Sequence, residues 1–235
     1  MDREFQEELL LRGDLAVLGR IVDSSNQALL VELTLGEHVA RACYKAQAGE
    51  RPLWDFPEGL WKREVAAYEL DRLCASDLVP TTVARLDAPF GPGSLQWWID
   101  DARDEHYFTL RERPEFIAWF ARLAAFDVVA NNADRKAGHI LLDATRLWAI
   151  DNGLCFHDDD KLRTVIWDFA GEPLGEEVTG HLARLLEGDL TRLRATLSDD
   201  EVARVIERAE RLLGAGVFPE PDVEGDYPPY PWPLI

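Results

Sequence analysis

Cysteine is scarce in this 235-residue chain: Cys43, Cys74 and Cys155 are odd in number, far apart and without a CxxC pair. They build no disulfide framework and read as free buried thiols in a reducing cytoplasm. Long apolar runs are missing too. Nothing approaches the length of a membrane span, and residues 1–18 carry acids where a signal peptide carries bases. Positive charge is the third shortage. Against 44 Asp and Glu stand 25 Lys and Arg, a net charge of −19, with no basic stripe along the chain. A nucleic-acid partner is disfavoured, since nothing would neutralise its phosphates, and so is stable docking on an anionic membrane. Lysine occurs at only four positions, Lys45, Lys62, Lys136 and Lys161, in a chain that otherwise uses arginine. Where arginine is the habit, a lysine hints at a place that wants a compact point charge. No internal repeat is visible.

What is present suits a folded globular protein: 47% of residues are apolar, and the length allows one domain or two small lobes. Residues 4–11 form a short amphipathic lead-in. LAVLGRIVD and ALLVELTLG flank Ser24-Ser25-Asn26, a turn signal between β-rich runs, and ARACYKA follows as a third strand. A helix is expected over LWKREVAAYEL, with Trp61, Glu64, Val65 and Tyr68 on one face. Glu64 interrupts that core-facing stripe, and a carboxylate there wants a cation; Lys45 is the natural one, with Arg63 and Arg72 as alternatives. Between strand and helix lies GERPLWDFPEG, residues 49–59, which either covers a cleft or staples the helix. Residues 79–83 and SLQWWI read as further strands.

Later segments turn helical. Phe116, Ile117, Phe120, Leu123, Ala124 and Val128 mark a helix over residues 114–130. GEEVTGHLARLLEG is a short amphipathic helix, and SDDEVARVIERAERLLGAG a longer one, with a Ser198–Glu201 capping box and Gly214 as its stop. The tail has six prolines after Val217 and is extended. Its Tyr227, Tyr230 and Trp232 are expected to pack back onto the body.

Chemistry concentrates in residues 127–153, DVVANNADRKAGHILLDATRLWAIDNG. Asn131 to Lys136 form a loop too polar to bury, followed by two strand-like runs, HILLD and RLWAID, joined at Asp143-Ala144-Thr145 as a tight hairpin. A hairpin returns the chain to its starting side, so Asp134 and Asp151 should end close together. Two carboxylates so placed repel unless a cation sits between them or one takes up a proton. Phosphoryl transfer uses such a pair, one to orient the attacking hydroxyl and one to hold the ion that bridges the phosphates. The plainer reading is that both acids only cap turns.

ADRKAGH followed by AIDNG resembles the D-R-x-x-x-N and I-D-x-G motifs of phosphatidylinositol 3-/4-kinase-like enzymes, atypical kinases that include HipA-type protein kinases and type II phosphatidylinositol 4-kinases. CYKA, KREVAAYELDRL and DLVPTTVAR are similar to that group's β3 lysine, its αC helix and the Val-Pro-x-Thr after it. GERPLWDFPEG, GLCFHDDDKLRTVIWDFAGEPL and YPPYPWPLI look more closely like a small actinobacterial family of kinase-like proteins, over nearly the whole chain.

The resemblance implies an α+β, compact two-lobed protein-kinase-like fold. Residues 1–98 would form an antiparallel β-sheet lobe with one helix, and 99–235 a mainly helical lobe carrying the catalytic hairpin. It implies an ATP-dependent phosphotransferase using Mg2+ or Mn2+, with a nucleotide and an unknown acceptor as partners. By charge, a protein or small molecule is favoured over a lipid as acceptor. In that reading Asp134 orients the acceptor hydroxyl, with Arg135 buttressing it, and Asp151 holds the metal. Lys45 holds phosphates and Glu64 positions Lys45, while Ser25 and Asn26 cover the nucleotide. Trp97 to Asp100 form the hinge, and Lys161 and Arg163 are placed to bind an anionic group.

One motif position departs from the family. His139 stands where the matching kinases carry asparagine as a ligand for a second metal. Imidazole suits softer ions than magnesium. Either a second site is lost, or it prefers manganese, or His139 is a hydrogen bonder beside a single ion. The alternative to catalysis is a pseudokinase, a nucleotide-binding regulatory or scaffold protein.

Overall fold

The structure is a computed structural model and describes residues 1–22, 27–101, 105–225 and 228–235. Where the sequence reads a lead-in, a full helix α1 (Arg3–Arg12) forms, capped by Asp2, whose carboxylate accepts from Phe5 N at 2.9 Å. Strands β1 (Asp14–Arg20), β2 (Leu29–Leu35), β3 (His38–Ala46), β4 (Thr82–Arg85) and β5 (Gly93–Trp97) make one antiparallel sheet in the order β1-β2-β3-β5-β4. Side chains alternate along β3, so Ala42, Tyr44 and Ala46 are buried in one face while Cys43 and Lys45 point to the other. The buried face packs with Val31, Leu33 and Leu95 against Leu9 and Leu10 of α1. Lys45 pairs in register with Ser94, and next to it Gly93 is required: a Cβ there would lie 2.4 Å from the Lys45 carbonyl oxygen.

Helix α2 (Leu60–Cys74) leans on β4 and β5 and is wedged against later helices on its other side. The stripe of Trp61, Glu64, Val65 and Tyr68 is buried as expected, but so are Arg63, Ala66, Ala67, Leu70 and Asp71. A helix touched from both sides needs no solvent face.

Beyond β5 the chain is mainly helical: α3 (Tyr107–Leu110), α4 (Ile117–Ala130), α5 (Gly175–Glu187), α6 (Thr191–Arg194) and α7 (Asp199–Ala215), with one hairpin, β6 (Ile140–Leu142) and β7 (Leu147–Ala149), after α4. Phe120, Leu123 and Val129 of α4 meet Leu182 and Leu185 of α5 and Val205 and Leu212 of α7 in the main core. The buried face of α4 is rotated from the expected one: Ile117 is exposed, and Trp119, Phe126 and Val129 go in. The Ser198–Glu201 capping box forms as read. The helix runs through Gly214, however, and stops at Gly216, whose φ of 70° is the left-handed turn that glycine permits.

The end of the tail docks through its backbone. Pro229 O accepts from Thr164 N (3.1 Å) and Trp167 Nε1 (3.2 Å), and Leu234 O accepts from Ala137 N (2.8 Å). Tyr230 and Trp232 face solvent, and Tyr227 lies outside the described residues. None of the helices among the described residues is long and apolar enough to cross a membrane.

Candidate functional site

Three elements converge at one end of the hairpin: β3 brings Lys45, α2 brings Glu64, and the turn after β7 brings Asp151. Lys45 Nζ lies between the two carboxylates, donating to Glu64 Oε1 and, at 2.7 Å, to Asp151 Oδ1. Glu64 is almost wholly buried, and its second oxygen accepts from Asn152 N at 3.0 Å. The rival cations are spoken for elsewhere. Arg63 donates to Cys155 O and Glu201, and Arg72 to Glu7. Burial alone would lower the Lys45 pKa, but Asp151 and Glu64 reverse that and hold the ammonium firmly charged. Burial would likewise raise Asp151, yet Lys45 and His139 pull its carboxyl well below the usual range.

His139 Nε2 faces Asp151 Oδ2 at 3.3 Å, and its Nδ1 accepts from Lys136 N at 3.4 Å. Burial is the main cause that pushes the imidazole down to about 4, against the pull of Asp151. Asp134 sits at the start of the same turn. Its carboxyl is raised, chiefly by burial and further by the charge of Asp151. Lys136 Nζ donates to Asp134 Oδ2 at 2.8 Å.

The loop that carries these groups corrects one expectation. Asn131, Asn132, Ala133 and Arg135 are buried, not exposed. Their polar atoms have partners inside. Asn131 Nδ2 donates to the carbonyls of His157 and Asp159, and its Oδ1 accepts from Lys161 N. Asn132 Oδ1 accepts from Asp134 N, and its Nδ2 donates to Asp127. Arg135, 0% exposed, forks onto Asp127 at 3.0–3.1 Å and donates to Ile150 O (2.7 Å) and Asn152 Oδ1 (2.6 Å). It ties helix α4 to the Asp151 turn and reaches neither Asp134 nor solvent.

Among the remaining residues singled out in the sequence, Ser25 and Asn26 lie outside the described residues. Around the expected hinge, Trp97 N donates to Thr81 O and Trp98 N to Arg41 O, so those two backbone donors already belong to the sheet. Lys161 is buried, with Nζ on Asp55 Oδ2 at 2.9 Å. Arg163 lies close enough to Asp134 for its charge to be felt there.

The sequence matches the phosphatidylinositol 3- and 4-kinase family over residues 57–183, from just before α2 into α5. The chain belongs to that family. It is 36% identical to protein Rv2133c of Mycobacterium tuberculosis over 99% of this chain and 96% of that protein. It is also 29% identical to phosphatidylinositol 4-kinase gamma 4 of Oryza sativa subsp. japonica, over 66% of this chain but 31% of the rice protein.

Several solved structures are similar in fold, two of them named as kinases. They include the Helicobacter pylori proinflammatory kinase CtkA (TM-score 0.53, 10% identity, 89% of this chain and 94% of that one). The Golgi casein kinase superposes with a TM-score of 0.55 at 11% identity, over 91% and 76%. Hydra Fam20 with sugar gives 0.54 at 12%, over 92% and 88%. At such identities the likeness shows the fold, which is the expected α+β, two-lobed, protein-kinase-like one with a sheet lobe and a mainly helical lobe.

Two residues of this family member escaped the sequence reading. Lys136 was visible only as one of four lysines, and its position two residues after Asp134 was the unused signal. Asp127 looked like an ordinary polar position on α4, and nothing local marks it as the buried counterion of Arg135.

Proposed function

We propose that this member of the phosphatidylinositol 3- and 4-kinase family is an ATP- and metal-dependent phosphotransferase acting on an alcohol group. The observation that carries the reading is Lys45 Nζ held between Glu64 and Asp151 at the mouth of the hairpin. An ammonium fixed there is a preformed site for the α- and β-phosphates. Asp134, raised toward neutrality by burial, takes the proton of the acceptor hydroxyl as that oxygen bonds to the γ-phosphorus and the bond to ADP breaks. Lys136 beside it offsets charge on the transferred group. Arg135 acts through others, holding Asp127, Ile150 and Asn152 so that the Asp134 and Asp151 turns keep their spacing. Ser25 and Asn26 are assigned to the loop over the nucleotide.

The metal assignment rests on the donor set. Asp151 Oδ2 and His139 Nε2 converge at 3.3 Å, while no group of three or more His, Cys, Asp or Glu fit to hold an ion occurs among the described residues. Two protein ligands with phosphates and water completing the shell suit a nucleotide-borne ion. With Nδ1 accepting from Lys136 N, the ring proton sits on Nε2; ligation through Nε2 moves it to Nδ1 and gives up that 3.4 Å contact. A mixed oxygen and nitrogen pair favours Mn2+ over Mg2+. When bound, the ion neutralises charge on the triphosphate.

The acceptor is a protein or a small molecule in preference to a lipid, because a chain of net charge −19 repels an anionic membrane. A second reading, a regulatory nucleotide-binding pseudokinase, is favoured by one observation, His139 in the asparagine slot. Release of ADP and the intact mass after incubation with ATP distinguish the two. Turnover lost in Asp134→Asn with ATP binding retained supports the enzyme. Binding without turnover in the unmodified protein supports the pseudokinase, and a gain of AMP mass would mark adenylyl transfer instead.

A further inference from the structure

Residues 151–174 run from the Asp151 turn to α5, the stretch that many kinases order by phosphorylating a hydroxyl and pairing it with arginine. Here that stretch has one hydroxyl, Thr164, which is 2% exposed. Its Oγ1 contacts Asp127 Oδ2 and accepts from Ile166 N. No exposed hydroxyl is on offer for a phosphate, yet the segment is firmly tied down.

The tie comes from residues 49–59. Lys161 Nζ meets Asp55 Oδ2 at 2.9 Å, with side-chain exposures of only 5% and 14%. The ammonium also lies 5.6 Å from the Trp54 ring and 5.4 Å from the Phe56 ring. His157 Nε2 donates to Asp55 O at 2.8 Å; its Nδ1 accepts from Asp159 N, and Phe56 meets the ring edge-on. Asp55 is thus gripped by carboxylate and carbonyl alike. Towards α2 the same loop supplies the cap that the helix lacks, for Gly59 has no side chain to give: Glu50 accepts from Gly59 N (2.9 Å) and Trp61 N (2.7 Å). One turn further on is Glu64. The sequence left open whether this loop lids a cleft or staples the helix. It staples the helix, and it staples it to the 151–174 segment.

We infer that Asp55 and Lys161 are positioning residues, a built-in latch that holds α2, and through it Glu64 and Lys45, in the working arrangement without covalent modification. The consequence for nucleotide rests on the phosphotransferase reading; the latch itself does not. A buried pair broken on one side leaves a bare charge that pushes the two segments apart. The test compares Lys161→Met, Asp55→Asn and Lys161→Arg by hydrogen exchange at the α2 amides and by calorimetric titration of ATP. Either neutral variant should speed α2 exchange and weaken ATP by about tenfold or more, while Lys161→Arg, which keeps the charge, stays nearer the parent. If a single variant does not fold, Asp55→Asn/Lys161→Met is used, since removing both charges lifts the burial penalty while still opening the latch. Unchanged α2 exchange in a folded neutral variant would overturn the inference. If the parent binds no ATP, the functional reading fails and the exchange result alone decides the latch.

Discussion

At the scale of single residues, three of the four lysines have tightly fixed partners: Lys45 on Glu64 and Asp151, Lys136 on Asp134, Lys161 on Asp55. A scarce residue type marked the positions where a point charge is needed, and Lys45–Glu64 was legible because a carboxylate on a buried helix face leaves few candidate cations. Arg135 was legible as a motif but not as a buried fork, since its partner Asp127 becomes meaningful only once α4 and the hairpin are packed together. His139 carries the sharpest prediction at this scale. Burial holds its pKa at about 4 against an ordinary 6.5, so in metal-free protein the unfolded chain takes up a proton that the native state refuses. The contribution is fully present above pH 6.5 and is lost as pH falls towards 4. It adds a slope of up to about 1.4 kcal/mol per pH unit. Urea unfolding across that window, with chelator present, should show a shallower acid-side slope in His139→Asn. Equal slopes would mean the ring is not held neutral.

At the scale of elements, the strongest local signals survived folding. The capping box of α7, the hairpin around Asp143 and the strands of the sheet appear close to where the pattern put them, except that the strand read over 79–83 forms later, as β4. Ser198→Ala should therefore cost about 1 kcal/mol, seen as a lower urea midpoint with unchanged m-value. Failures came where tertiary contacts replaced water. Asn131, Asn132 and Arg135 are polar yet buried because backbone carbonyls and Asp127 satisfy them. α2 is buried nearly all round because a sheet and two helices share it. The end of the tail docks by the backbone carbonyls of Pro229 and Leu234 while the rings of Tyr230 and Trp232 face out, which no periodicity in a proline-rich segment encodes.

At the scale of the whole molecule, the fold follows from a sheet that can bury one face under α1 and a helical body that can cover α2, with the chemistry held where the two meet. The acidic surface sets what can approach. Vesicles containing phosphatidylserine should not sediment the protein at physiological salt, and robust cosedimentation would reopen the lipid acceptor. The central claim is that Lys45, Glu64 and Asp151 form a nucleotide site, and calorimetric titration of ATP with Mg2+ and then Mn2+ tests it most directly. The account predicts metal-dependent binding, tighter with Mn2+, that weakens by about tenfold or more in Asp151→Asn. No binding with either ion, or an Asp151→Asn variant that binds as the parent does, would contradict it.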